Sequence, residues 1–380
     1  VNSERAFGGP SLTFSDTFNP VWSSGSNTNR SIKAAVTNLF YWSNIVHDLM
    51  YLYGFDEASG NFQVNNYGNG GIAGDSVRSE AQDGSGTCNA NFSTPPDGGR
   101  GRMQMYVCGT RDGDFDNGVV AHEYGHGISI RLTGGAGTSG CLNNQEQMGE
   151  GWSDFFGMIM TIESGDAGTD PRGMGTWLLG QPITGAGIRT QRYDTDDNTY
   201  TYNTIKTAAV PHGVGSVWAM MLWEMTWDLI AVHGFDTDFY NGTGGNNIAL
   251  ALVMEGLKLQ PCSPGFVDGR DAILAADVAL YGGANQCTIW TAFARRGLGY
   301  SAAQGSTGSR SDGTEAFDLP PGSALFDTPT ETLCETAGVQ TGLSGGAPAG
   351  GVYSGTGVTD DGNGTTFSFD PTGLPLGLAT

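Results

Sequence analysis

The run Val119-Val120-Ala121-His122-Glu123-Tyr124-Gly125-His126-Gly127-Ile128 is an H-E-x-x-H string set in apolar, helix-compatible sequence. Residues four apart on an α-helix share a face, about one turn from each other. His122 and His126 can therefore hold one zinc ion through their ring nitrogens at about 2.0–2.1 Å. Glu123, next to His122, can reach a water at the metal without joining the ligands, which is the division of labour in a zinc peptidase. A second string follows, Met148-Gly149-Glu150-Gly151-Trp152-Ser153-Asp154-Phe155-Phe156-Gly157. Here Glu150 and Asp154 share a helix face. Glu150 is the candidate third ligand, and Asp154 the carboxylate that takes the second ring N–H of a ligating histidine and fixes its tautomer. Two His and one Glu leave a fourth position open, the pattern of a catalytic zinc site. The longer metzincin motif is excluded, because its Gly and His positions hold Ser129 and Leu132.

Outward from these strings, the apolar periodicity predicts a helix over 31–53, with Val36, Leu39, Phe40, Ser43, Val46 and Met50 on one stripe and His47 packed among them. Short strands separated by turn signals are expected over 54–117, the zinc helix over 118–132 with Gly134-Gly135 ending it, and a second helix over 146–163. Residues 212–233 form a strongly apolar helix, and further helices are expected at 246–259, 268–281 and 287–296. The fold class is therefore α+β: a strand-rich N-terminal lobe over 1–117 with one long helix, a helical lobe over 118–333, and the zinc site in the cleft between them. Residues 334–380 read as a Gly/Thr-rich tail or the start of a further extracellular module.

The chain has 380 residues and a formal charge of −22. Its only lysines are Lys33, Lys206 and Lys258, so it carries no basic stripe for nucleic acid. No apolar run reaches membrane-spanning length, and Val1-Asn2-Ser3-Glu4-Arg5 lacks the start of a signal peptide, so the sequence reads as a mature form. Cys88, Cys108, Cys141, Cys262, Cys287 and Cys334 make no C-x-x-C pair, which favours an oxidising compartment over zinc ribbons. The expected disulfides are Cys88–Cys108 across a hairpin and Cys262–Cys287 around one helix, leaving Cys141 with Cys334. Asp112-Gly113-Asp114-Phe115-Asp116-Asn117-Gly118 resembles the opening of a calcium loop. Its glycine is one place late and the twelfth position is Glu123, so an EF-hand is not expected. Calcium in another geometry remains a candidate second cation, against the plainer reading of an acidic turn that caps the zinc helix.

The chain resembles the fungalysin family of secreted zinc metallopeptidases, itself distantly similar to thermolysin. The resemblance runs from about Phe18 to about Tyr300. It rests on Asn38-Leu-Phe-Tyr-Trp, Ser79-Glu-Ala-Gln-Asp-Gly-Ser-Gly-Thr, Ala90-Asn-Phe-Ser-Thr-Pro-Pro-Asp-Gly, Arg102-Met-Gln-Met-Tyr, both zinc strings, His212-Gly-Val-Gly-Ser-Val-Trp-Ala and Gly269-Arg-Asp-Ala-Ile-Leu-Ala-Ala-Asp. Gly125 departs from it, standing where the family often has Thr. The resemblance implies His122, His126 and Glu150 as zinc ligands, Glu123 as the catalytic carboxylate and His212 as a donor to the oxyanion of the tetrahedral intermediate. It implies an assisting tyrosine, for which Tyr193, Tyr200 and Tyr202 all stand open, and it aligns Asn91 with the strand that pairs with substrate backbone. It also implies secretion with a signal and pro-segment removed, the pro-segment being a partner before maturation.

These residues predict a secreted zinc endopeptidase acting on proteins, with Glu123 as general base. The rival readings are an exopeptidase on the same core, for which no terminus-binding motif is visible, and a non-catalytic extracellular matrix-binding module with structural zinc. Two other matches carry nothing. Gly342-Leu343-Ser344-Gly345-Gly346 lacks the strand-to-helix setting of a nucleophile elbow, and Gly135-Ala136-Gly137-Thr138-Ser139-Gly140 follows a helix where a dinucleotide site needs a strand.

Overall fold

The computed structural model describes residues 5–21, 31–197, 199–321, 325–326, 338–347 and 349–372. They divide into two compact units, Val1–Asp318 and Leu319–Thr380. The architecture is mixed α+β, with long helices and small sheets.

The first unit opens its regular structure with α1, Ile32–Leu52. Ala35, Leu39, Val46, Leu49 and Met50 face the core. Phe40, expected on that stripe, is 68% exposed, because the buried face is rotated toward Ala35 and Leu49. His47 is only partly buried and lies 3.2 Å from Gln63 Oε1. Short strands follow: β1 Arg78–Glu80, β2 Ala90–Ser93, β3 Arg102–Met105, β4 Val107–Cys108 and β5 Arg111–Asp112. β3 is central in a three-stranded sheet, parallel to β1 and antiparallel to β2, so β2 is an edge strand.

The helices then run α2 Asn117–Leu132, α3 Gly149–Ile159, α4 His212–His233, α5 Gly245–Leu259, α6 Phe266–Tyr281 and α7 Gln286–Arg295. Capping fixes their ends. Asp116 accepts the Val119 N–H at the start of α2, and Gly134 and Gly135, both at positive φ, turn the chain away beyond its end. Gly282 closes α6 in the left-handed region. α4 packs against α3, α5 and α7, and one hydrophobic core joins all seven helices to β3. Among the described residues, no helix is long and apolar enough to cross a membrane.

Cys88 and Cys108 are bonded as expected. The other pairing differs: Cys141 bonds Cys262. Cys262 lies in the corner between α5 and α6, where the Ser263 N–H also donates to the Cys141 carbonyl. α6, sixteen residues and so about 24 Å long, carries the chain away before Cys287 is reached. Cys287 is exposed and bonded to no described cysteine, and Cys334 lies outside the described residues. In the second unit, β6 Leu325–Phe326 pairs with β8 Gly346–Ala347, and β7 Gln340–Leu343, β10 Phe367–Phe369 and β9 Val358–Asp360 form an antiparallel sheet in that order.

Candidate metal centre and active site

α2 and α3 meet face to face, and glycine sets how closely. A Cβ on Gly125 would stand 2.9 Å from the Phe156 ring and 3.0 Å from the Ser153 Cα. The threonine expected at this position by resemblance would not fit against this α3 without movement. The contact brings His122 and His126 of α2 against Glu150 of α3. His122 Nε2 lies 3.4 Å from Glu150 Oε2, and His126 Nε2 3.7 Å from Glu150 Oε1. Among the described residues these three form the one group of three or more His, Cys, Asp or Glu side chains able to converge on an ion, their ligand atoms all within 4.8 Å of one another. Tetrahedral zinc at about 2.0–2.1 Å needs ligand atoms roughly 3.3–3.4 Å apart. Two imidazole nitrogens and a carboxylate oxygen at these separations fit that ion.

Asp154, one turn after Glu150 and fully buried, lies 2.7 Å from His122 Nδ1 through its Oδ1. Arg189 grips the same carboxylate twice, Nε to Oδ2 at 2.7 Å and Nη2 to Oδ1 at 2.8 Å, and also donates to Glu150 Oε2 at 3.0 Å. The Tyr193 hydroxyl donates to Asp154 Oδ2 as well. Burial works against these charges, but the surrounding pairs outweigh it. Glu150 is held well below the usual carboxylate range by the hydrogen bond and charge of His122, and Asp154 by the Arg189 guanidinium and then by His122. His122 is likewise opposed by burial yet raised to about 10 by Asp154 and Glu150. His126, farther from Glu150, is lowered to about 4 by burial and by His122, which outweigh the charge of Glu150.

Glu123 is buried, and its Oε2 has no hydrogen-bond partner among the described residues. Burial lifts its pKa to about 7. His212 stands at the first position of α4, with Nε2 3.4 Å from Glu150 Oε1 and the side chain 63% exposed. Asn91 sits on the edge strand β2, its amide donating to the Tyr106 hydroxyl. β2 lies over α2: Phe92 packs on Tyr124, and the Thr94 hydroxyl donates to the His126 carbonyl. Of the three tyrosines left open by sequence, Tyr193 is on Asp154, and Tyr202 donates to Glu146 at 3.0 Å. Tyr200 is largely buried. In the acidic turn before α2, Asp116 caps the helix while Asp112 and Asp114 are wholly buried, with Asp114 Oδ1 lacking a partner among the described residues.

Arg189 was not identified as a member of the site from the sequence, and Tyr193 stood only among three candidates for assisting the oxyanion, not as a partner of Asp154. They lie in irregular chain with no periodicity linking them to either zinc string. The one available signal was the scarcity of cations, 17 Lys and Arg against 39 Asp and Glu, which makes each buried arginine a candidate partner for a carboxylate.

Residues 2–302 match the family described as fungalysin metallopeptidase (M36). Extracellular metalloproteinase 3 of Arthroderma otae is 47% identical over 323 residues, covering 80% of this chain and 49% of that protein. Extracellular metalloproteinase MEP of Pyricularia oryzae is 49% identical over 303 residues, 76% of this chain and 47% of its own length. The chain thus spans about half the length of the curated relatives it matches. A solved precursor of protealysin, a metalloproteinase from Serratia proteamaculans, aligns at a TM-score of 0.43 with 14% identity over 73% of this chain and 82% of its own, too low to bear on how the elements are arranged.

Proposed function

This chain belongs to the fungalysin metallopeptidases, and from that premise we propose that it is a secreted zinc endopeptidase that hydrolyses internal peptide bonds of proteins. Secretion is supported by relatives named extracellular metalloproteinases. His122, His126 and Glu150 hold the zinc. Bound there, zinc supplies Lewis-acid polarisation and lowers the pKa of water into the neutral range.

The remaining chemistry falls to this chain's own side chains. Glu123 is the general base: it takes a proton from the attacking water and returns one to the leaving nitrogen. A carboxyl pKa near 7 suits both halves of that cycle at neutral pH. Asp154 Oδ1, 2.7 Å from His122 Nδ1, favours the proton on that nitrogen and would leave Nε2 free as the ligand atom. His212, exposed beside Glu150, donates to the oxyanion. Substrate backbone pairs with the edge of β2 at Asn91, in the cleft between the strand-rich segment 1–117 and the helical segment 118–333. The pro-segment implied by the family is its partner before maturation. Calcium, the second cation raised by the sequence, would be taken by the buried Asp112 and Asp114, where Asp114 Oδ1 lacks a partner among the described residues.

The observation that carries this reading is the buried Glu123 carboxylate, whose Oε2 has no partner among the described residues, beside a two-nitrogen, one-oxygen ligand set. A matrix-binding module with structural zinc has no use for it, and that alternative is not favoured. Glu123→Gln is expected to keep one zinc per chain while casein cleavage falls by about 10²–10⁴-fold. An end-blocked peptide should be cut internally by the parent. Casein cleavage at the parental rate by the variant would refute the base, and products released only from unblocked ends would refute the endopeptidase.

A further inference from the structure

Arg296, directly after α7, is fully buried and grips irregular chain some hundred positions earlier. Its Nη2 donates to the carbonyls of Asp194 at 3.4 Å and Thr195 at 3.2 Å, and its Nη1 to the carbonyl of Asp197. Nε and Nη2 both hold Glu224 Oε2 of α4, at 2.9 and 2.5 Å. The Arg296 carbonyl accepts the Tyr202 N–H at 2.8 Å. One residue thus fastens the segment 194–202 at four points to the helical core.

Carbonyls turned inward on an irregular segment need donors, and three aimed at one place need several from one direction. The planar guanidinium fork supplies them, and Glu224 balances its charge. The residues immediately before this segment carry Arg189 and Tyr193 to Asp154. Backbone bonds from the other side are the Thr195 N–H to the Gly168 carbonyl at 2.9 Å and the bridge in which Tyr193 and Arg172 exchange N–H bonds at 2.8 and 2.9 Å.

We propose that Arg296 is a positioning residue of the metal centre: by fixing the backbone at 194–197 it keeps Arg189 and Tyr193 on Asp154, and so tunes the affinity of His122, His126 and Glu150 for zinc. This rests on the zinc reading above. Partners that orient a metal's ligands typically change affinity 10–100-fold when removed.

The test compares zinc dissociation constants, from competition with a chromogenic chelator, for the parent, Arg296→Lys, Tyr193→Phe and the double variant, beside the unfolding midpoints of the apoproteins. Lysine keeps the charge opposite Glu224 but loses the fork. Arg296→Lys should weaken zinc binding about ten-fold. The double variant should lose less than the product of the two single losses, since both act along one path. A lower unfolding midpoint with an unchanged zinc constant would overturn the proposal, as would losses that simply multiply. Should Arg296→Lys not fold, Glu224→Gln, which removes the carboxylate orienting the guanidinium, carries the same expectation and the same refutation. A parent that takes up no zinc would refute the metal centre itself, and this proposal with it.

Discussion

Glu146 is wholly buried four residues before Glu150, with the Tyr202 hydroxyl and the Phe266 N–H as its donors. Burial dominates, and its pKa rises to about 7. A carboxyl raised in the folded state binds its proton more tightly there than in the unfolded chain. Its contribution to stability is therefore fully present below about pH 4.5 and is lost as pH rises through about 7. Glu146→Gln should remove this slope: the variant's unfolding midpoint, measured from pH 4 to 8, should gain on the parent's as pH rises through that window. Parallel curves would show that Glu146 titrates normally. Nothing in Gln145-Glu146-Gln147 announces a buried acid, because burial is imposed by Phe266 and Tyr202 from far along the chain. His122, His126, Glu150 and Asp154 were legible because four-residue spacing converts directly into a shared helix face. His212 needed the family resemblance, since no spacing ties the start of α4 to the zinc strings.

Two helices, α2 and α3, carry the ligand set, α4 packs against α3, and glycines set their separation. A Cβ on Gly151 of α3 would collide with the Gly215 carbonyl of α4, and one on Gly215 would stand 2.5 Å from Glu150 Cβ and 2.7 Å from the Gly151 nitrogen. In an open helix, Gly→Ala would gain about 1 kcal/mol from propensity. Here the added methyl meets backbone and the root of a ligand, and overpacking of this kind costs roughly 1–3 kcal/mol. Gly215→Ala should therefore lower stability and weaken zinc binding together, because α3 can yield only by moving Glu150. A more stable variant with parental zinc affinity would disprove the close contact. The helices themselves were legible to within about four residues, from the span 246–259 against Gly245–Leu259 to 146–163 against Gly149–Ile159. Their separations were not, because a glycine in a helical pattern reads equally as a weak spot or a packing site. The strands of the second unit went unread for a related reason: at two to four residues each, they are too short for an apolar alternation to be read.

At the scale of the whole chain, two covalent bridges close loops of very different size. Cys88–Cys108 spans 20 positions, whereas Cys141–Cys262 spans 121 and ties the approach to α3 to the α5–α6 corner. Spacing alone could not have chosen this, since six cysteines allow fifteen pairings and the choice depends on how the helices stack. Loop-closure entropy makes the long bridge worth about 4–5 kcal/mol and the short one about 3. Noncovalent ties act beside the long bridge too, with the buried Gln260 amide donating to Thr133 Oγ1 at 2.8 Å. These outlast removal of the sulfurs, so the corner should loosen without detaching. The double variant Cys141→Ser/Cys262→Ser should lose more unfolding free energy in denaturant titrations than Cys88→Ser/Cys108→Ser, by about 1–2 kcal/mol. Cys88 and Cys108 flank the hairpin in which β2 pairs with β3, and their short loop has less unfolded-state freedom to remove. Were the short bridge to prove the more costly to lose, chain entropy would not be what these disulfides supply, and native-state packing around Cys88 would have to account for the difference.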